Sequence, residues 1–325
     1  MEELATTDPK RAADALRAGR LAVLPTETVY GLGARAADPG AVARVYAVKG
    51  RPADHPLIVH LPTGADLVGW AVDVPDYARR LAQRFWPGPL TLVLRRGPRT
   101  GLHVTGGADT VGLRVPDHSL TLEVLRQLGE GVAAPSANLF GQVSPTTAGH
   151  VLDEIGQRLV PGLDVVLDGG SSRVGVESTI VDATGAAPRL LRPGAVTPAQ
   201  VEATAGVAVS LEPSPVRAPG TLAAHYAPRA QVLLVSSDVV QEHDPWQGRP
   251  TRGLLAPAHV ATPPGLVRLS APVDEAAYAA VLYSALREAD ALRLRSVIVV
   301  PPAGPGLAEA IRDRLTRAAH GSGAS

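Results

Sequence analysis

Short apolar runs alternate with helical periodicities along the first two hundred residues. LAVL (21–24), LIVHL (57–61), LTLVL (90–94), VGLRV (111–115), VAA (132–134), VVLD (165–168) and STIVD (178–182) have the length and residue types of strands. Apolar positions recur at helical spacing over 5–18, 39–48, 74–85, 119–128 and 146–158. Asp38 stands where an N-cap is wanted, with Pro39 at the first helical position. Such alternation predicts an α/β domain. The uneven spacing of the runs and the frequent Pro and Gly breaks predict a twisted, mixed sheet rather than a regular doubly wound one. Residues 204–229 lose the pattern; Pro213, Pro215, Pro219 and Pro228 mark a linker there. The pattern then restarts. QVLLV (231–235), GLLAPA (253–258), LVRLS (266–270) and SVIVVPP (296–302) predict strands, and 273–292 and 307–319 predict helices. The expected division is 1–208 for the first domain, 209–229 for a Pro-rich linker, and 230–325 for a small α/β domain. The tail HGSGAS is expected to fray.

Composition narrows the chemistry. With 31 basic and 31 acidic side chains the formal charge is zero, which argues against a globally basic nucleic-acid binder and leaves room for a local basic pocket. There is no cysteine, so disulfides, thiolate nucleophiles and Cys-based metal sites are excluded. No 18-residue apolar run is present and the N-terminus is too polar for a signal peptide, so the expected location is the cytoplasm, away from membranes. Aromatics are only 3%, so the core must be built from Val, Leu, Ile and Ala. The basic charge is nearly all arginine; Lys10 and Lys49 are the two lysines, and Lys49 stands out as the exception inside a dense motif.

That motif is PTETVYGLGARAADPGAVARVYAVKGRPADHPLIVHL (25–61). A polar loop with Thr26, Glu27, Thr28 and Tyr30 follows a strand, then come Gly31 and Gly33 and a helix. Lys49, Gly50 and Arg51 leave that helix, and a loop with Asp54 and His55 leads to the strand that carries His60. Two donor-rich loops thus flank one sheet end. Basic residues at a helix C-terminus often only complement its dipole, but the dipole does not account for Gly50 and Pro52 shaping a loop around the charges. Gly31-Leu-Gly33-Ala-Arg-Ala36 matches a dinucleotide fingerprint in letters only. Its glycines neither follow the strand at once nor open the helix, so a nicotinamide cofactor is not expected. Neither a standard P-loop nor a nucleophile elbow is present.

In AAPSANLFGQVSPTTAGHV (133–151), Ser136, Asn138, Ser144, Thr146 and Thr147 crowd a loop that opens a helix. This arrangement suits phosphate binding, or helix capping alone. Arg114 lies inside an apolar strand and needs a partner: either a structural ion pair, or a carboxylate or phosphate that its planar fork grips. Ser178 begins a strand and Arg192 precedes Pro193-Gly194. Lys49, Arg51, Arg114 and Arg192, with many hydroxyls and no catalytic dyad, fit the positioning of a polyanion better than nucleophilic catalysis. The nine histidines form no metal-ligand pair, and magnesium held by substrate phosphates would leave no sequence trace.

PTETVYGLG, KGRP…PLIVHL, FWPGPLTLVL, GLRVP, PSAN…S, STIVD and LRPG follow one another in this order. Together they closely resemble the YrdC-like domain of threonylcarbamoyl-AMP synthases, over about residues 10–200. APGTLAAHYAP followed by a small α/β domain resembles the longer, two-domain form of these enzymes. The resemblance implies a YrdC-like twisted mixed sheet with a concave basic cavity, plus a small Rossmann-like C-terminal domain. It implies condensation of L-threonine, bicarbonate and ATP into threonylcarbamoyl-AMP and pyrophosphate with Mg²⁺ as cofactor, the work of a nucleotidyltransferase. Its product feeds threonylcarbamoylation of tRNA through downstream transferase proteins, while direct tRNA binding is left undecided. By motif position it places threonine at Thr28, His60, Arg114, Ala134 and Ser178. It places ATP at Arg51, His55, Thr110, Ser136, Asn138, Ser144, Arg192 and Tyr226, with Lys49 and Arg51 as catalytic residues and no protein-built metal site. The linker, with Pro219-Gly220 and His225-Tyr226, is expected to act as a lid. Two departures stand out: His55 where the family usually has Asn, and Leu222-Ala223-Ala224 where it typically has Lys-Tyr-Arg. The competing reading is a non-catalytic RNA- or nucleotide-binding module of the same fold; neutral charge and scarce aromatics weigh against it.

Overall fold

The fold is described by a computed structural model for residues 4–64, 67–242 and 251–323. Among these, an eleven-stranded mixed sheet fills the first part of the chain. Across it run Ala5–Thr6, Val165–Leu167, Ala22–Leu24, Gly31–Arg35, Val132–Ala133, Ile58–His60, Thr110–Arg114, Leu90–Arg96, Thr179–Asp182 and Arg189–Arg192. Ala71–Val72 pairs on the side with Leu90–Arg96. Parallel and antiparallel neighbours mix, as the irregular strand spacing predicted. Helices Pro39–Lys49, Asp76–Phe85 and Ser119–Leu128 lie close to their expected bounds, and Asp38 caps the first through its side chain. The core is Val, Leu, Ile and Ala, with few aromatics.

The largest local difference is at GLGAR. The stretch forms the strand Gly31–Arg35, antiparallel to both Ala22–Leu24 and Val132–Ala133. Glycine here serves close packing, not a turn. A Cβ on Gly33 would sit 2.8 Å from Val132 Cγ1 and 2.9 Å from the Ala22 carbonyl oxygen. Other elements escaped the pattern, among them the strand Arg189–Arg192 and the helix Pro198–Ala205, the latter opened by a Thr197/Gln200 capping box.

The second part carries a four-stranded, all-parallel sheet in the order Gln231–Leu234, Ser296–Val299, Arg252–Leu255, Val267–Ser270. Its helices Glu275–Ala291 and Leu307–Gly321 face the first sheet. Val29, Val143 and Val176 join Tyr226, Tyr278, Tyr283, Ile311 and Leu315 in one apolar cluster. The approach is close: a Cβ on Gly175, whose φ is +77°, would meet the Ala279 carbonyl oxygen at 2.3 Å. The expected fraying of the tail does not extend to Ser322. The last helix continues through Gly321, and the Ser322 hydroxyl accepts from Val232 N at 2.9 Å, which ties the chain end to the sheet. Residues 324–325 of that tail lie outside the described residues. Among the described residues no helix is long and apolar enough to cross a membrane.

Candidate active site

One end of the large sheet gathers the chemistry. The parallel strands Ile58–His60 and Thr110–Arg114 place His60 and Arg114 directly side by side. Ala134 N donates to the Ile58 carbonyl oxygen at 2.9 Å, and Gly31 bridges to Ser136. Ser178 stands just before the strand Thr179–Asp182, its hydroxyl 2.8 Å from that of Thr91. Linker residues Pro219, Gly220, His225 and Tyr226 close the opposite wall. The free space between these walls is about 60 Å³, and the cavity is only partly enclosed. An adjoining opening of about 340 Å³ lies past Phe140, lined by Arg51, His55, Arg217 and His225.

Most expected residues meet here. Thr28, Lys49, Arg51, His60, Arg114, Ala134, Ser136, Asn138, Ser178, Arg192 and Tyr226 line the cavity, and His55 lines the adjoining opening. Two do not. Thr110 lies at the far end of Arg114's strand, paired with Arg95, roughly 13 Å away at the usual rise per residue. Ser144 is fully buried and does not line the cavity; it donates at 2.6 Å to Oε1 of Glu177, which does. Its place in the SxN…S loop suggested a phosphate contact, but a carboxylate has claimed the hydroxyl. Phe140 and Glu177 on this wall, and Tyr283 and Arg314 behind it, were missed; Glu27, noted only as part of a polar loop, is the partner of Arg114.

The electrostatics are those of a buried, partly unsatisfied basic pocket. Arg114 Nη2 pairs with Glu27 at 2.7 Å and donates to Thr28 Oγ1 at 2.8 Å; its Nε donates to the Gly88 carbonyl oxygen at 3.2 Å. The structural ion pair expected for Arg114 is therefore present, and its Nη1 takes no part in these bonds. Lys49 Nζ donates to the carbonyl oxygens of Ser136 and Asn138, each at 2.5 Å. Burial, reinforced by the neighbouring Arg51, lowers the Lys49 amine to about 7. Burial also lowers Arg51 to about 10. His60 falls to about 3, through burial and then Arg114, so it is a neutral imidazole at pH 7. Arg192 donates to the Ser178 carbonyl oxygen at 3.0 and 2.9 Å and to Pro219 O at 3.0 Å, joining strand and linker. Arg51 Nε, His60 Nδ1, Asn138 Oδ1, His225 Nδ1 and the Tyr226 hydroxyl are buried with no partner. Orphaned polar groups are rare in native interiors, and five around one cavity mark a place built for a polar ligand.

Glu177 is the acid on the wall that balances this pocket. Burial alone would raise its carboxyl, but Arg314, Arg192 and the Ser144 and Arg314 hydrogen bonds hold it down at about 2. A carboxyl depressed from 4.5 to about 2 contributes stability that is complete above pH 4.5 and lost as pH falls toward 2. Acid unfolding followed between pH 5 and 2 is therefore expected to show a proton uptake that Glu177→Gln removes; an unchanged acid limb in that variant would contradict this role.

Two family models cover nearly the whole chain. The one described as "Telomere recombination" matches residues 14–194, and the one described as "Threonylcarbamoyl-AMP synthase, C-terminal domain" matches residues 196–320. The chain belongs to the YrdC-like threonylcarbamoyl-AMP synthase family. Among members of the family, the threonylcarbamoyl-AMP synthase of Bacillus subtilis is 38% identical over 98% of this chain and 96% of its own length. That of Pyrococcus abyssi is 43% identical over 69% of this chain and 66% of its own. A solved structure of P. abyssi Sua5 complexed with L-threonine superposes with a TM-score of 0.85 at 35% identity, covering 96% of this chain and 94% of that one. The family's two-domain form, with its mixed sheet and smaller second domain, is thus the form seen here. Leu222-Ala223-Ala224 before the HYAP motif carries no charge, yet a cation reaches the linker: Arg317 of the last helix donates to the Leu222 carbonyl oxygen.

Proposed function

We propose that the chain condenses L-threonine, bicarbonate and ATP into threonylcarbamoyl-AMP and pyrophosphate, as a nucleotidyltransferase. The observation that carries the reading is the cavity itself: buried cations and five orphaned polar groups, enclosed by a linker, in a fold shared with a relative solved with L-threonine. The non-catalytic alternative finds no such support.

Threonine fits the corner made by Thr28, His60, Arg114, Ala134 and Ser178, with its carboxylate on Arg114 Nη1. ATP fits along Arg51, Ser136, Asn138, Arg192 and Tyr226, with Lys49 close to the phosphates and His55 at the outer opening. Ser144 acts behind the wall, on Glu177. Mg²⁺ is expected to travel with the triphosphate. The nearby carboxylates Glu27 and Glu177 are already taken by Arg114 and Arg314, which leaves the phosphates to hold the ion. In the chemistry proposed, the threonine amine and bicarbonate give a carbamate and water. A carbamate oxygen then attacks the α-phosphorus, and pyrophosphate leaves. The chain's part is to position the two substrates, neutralise charge on the phosphates and keep water from a labile intermediate. The product is expected to serve threonylcarbamoylation of tRNA by partner transferases. Pyrophosphate release tests the reading: it should require threonine and bicarbonate together, with serine a much weaker substrate. Release independent of both would reject it.

The linker forms one wall of the cavity and would close over bound ATP as a lid. Gly220 fixes its resting position: φ is +76°, and a Cβ there would lie 2.2 Å from the Tyr226 hydroxyl. Gly220→Ala therefore strains the backbone and displaces Tyr226. We expect kcat/KM for ATP to fall about tenfold with little change in thermal midpoint, the cost of roughly 1–2 kcal/mol falling on the closed lid. An unchanged kcat/KM would show that the lid does not close in this geometry.

A further inference from the structure

We propose that the C-terminal α/β part completes the active site, with Arg314 and Tyr283 as positioning residues that fix Ser178, Arg192 and the lid ring of Tyr226. The inference rests on the proposed reaction for its kinetic arm only.

Arg314 is the largest of the fully buried side chains, at 0% exposure, and it belongs to the last helix, Leu307–Gly321. Its guanidinium reaches across the interface between the two sheets. Nε donates to Glu177 Oε2 at 2.8 Å, and Nη2 donates to Pro193 O at 2.9 Å and Glu177 O at 3.4 Å. Nη1 is held by Asp313 at 2.6 Å. One planar group therefore clamps the residue before Ser178 to the residue after Arg192. Those two neighbours, Ser178 and Arg192, both face the cavity and are bonded to each other. Tyr283, on Glu275–Ala291, donates its hydroxyl to the same Glu177 oxygen at 2.8 Å. Its ring stacks on Tyr226 with centroids 5.7 Å apart, and the Arg314 guanidinium lies 5.4 Å from the Tyr226 ring. The lid residue thus meets both a cation and an aromatic ring, each supplied by the C-terminal part.

A buried ion pair is a poor way to gain stability, because desolvation offsets most of the attraction. What a bidentate clamp supplies is geometry, since the planar fork accepts its partners in one arrangement. The tie points it fixes are the segments from which the cavity draws Ser178, Arg192 and Tyr226. Among the described residues none beyond Tyr226 lines the cavity, so this part of the chain acts on it from behind.

The test compares full-length wild type with Arg314→Leu, Arg314→Lys and Tyr283→Phe. Amide hydrogen exchange is read without substrate, and threonine-dependent pyrophosphate release is read with saturating ATP. For Arg314→Leu we expect exchange to quicken about tenfold at 176–179 and 218–227, with the central strand 296–299 unchanged. Pyrophosphate release should fall at least about tenfold in the same variant. Arg314→Lys keeps the charge on Glu177 without the bond to Pro193 O and should fall between Leu and wild type. Tyr283→Phe removes one hydrogen bond to a carboxylate and should lose roughly three- to tenfold. A merely structural role would quicken exchange throughout the last two helices and leave 176–179 and 218–227 no worse than the rest, which would overturn the proposal. So would exchange and rate within twofold of wild type in Arg314→Leu. If that variant does not fold, Tyr283→Phe decides by the same readings. A wild-type chain that releases no pyrophosphate counts against the proposed reaction, while the exchange arm still judges the clamp.

Discussion

Arg114→Ala should reduce threonine-dependent turnover by about a thousandfold and lower stability by about 3–5 kcal/mol, the usual cost of leaving one partner of a buried ion pair alone. Arg114 is 4% exposed and Glu27 only 1%. Without the guanidinium, Glu27 keeps one hydrogen bond, from Asp117 N at 3.0 Å, and no cation. Thr28 loses the donor that orients its hydroxyl. The two effects separate in a double variant. Adding Glu27→Gln to Arg114→Ala removes the unpaired charge and should return most of the lost stability. It should return none of the activity, because the site for the threonine carboxylate is still missing. Thermal melts and threonine titrations of the single and double variants check this. Activity that recovers together with stability would mean Arg114 only braces the fold.

Lys49→Met should lower kcat/KM for ATP by about a hundredfold to a thousandfold, the range seen when one preorganised donor to a charged reacting group is lost. The side chain is 2% exposed and already spends two donors on the Ser136 and Asn138 carbonyls. Those bonds hold the ammonium over the loop where phosphates are expected, with its third N–H free. Burial has brought the amine to about 7 in the empty site, so at pH 8 much of it is neutral. A bound triphosphate stabilises the charged form, and binding must then recruit a proton. ATP affinity in wild type is therefore expected to fall as pH rises from about 7.5 to 9, where the triphosphate itself is fully ionised. In Lys49→Met that slope should vanish. A wild-type affinity that is flat or rises over this range would remove Lys49 from the phosphate site. Lys49→Arg is not expected to rescue, since the bulkier fork cannot take the place of a point charge between two carbonyls.

Much of this site was legible because its residues sit at the ends of recognisable elements. His60 and Arg114 end two strands that pair in parallel, so a motif separation of more than fifty residues becomes a side-by-side contact. Lys49 was legible as a lone lysine where a capped helix runs out. Gly31–Arg35 was not, because glycine reads as a breaker while its use here, close strand approach, depends on neighbours distant in sequence. Ser144 and Thr110 show what motif position leaves open: Ser144 donates to Glu177, and Thr110 begins the strand that ends in Arg114, so neither lines the cavity of the empty site. Arg314 and Tyr283 carried no local mark at all. Each lies on a helix of ordinary pattern, and only the packing of one sheet against the other turns them toward Glu177.

The account rests most directly on what becomes of the bicarbonate carbon. Wild-type protein incubated with ATP, Mg²⁺, L-threonine and ¹³C-bicarbonate, then chilled and examined by mass spectrometry, should yield an adenylate that contains threonine and carries the labelled carbon. AMP alone, or a threonyl-adenylate without the label, would contradict it.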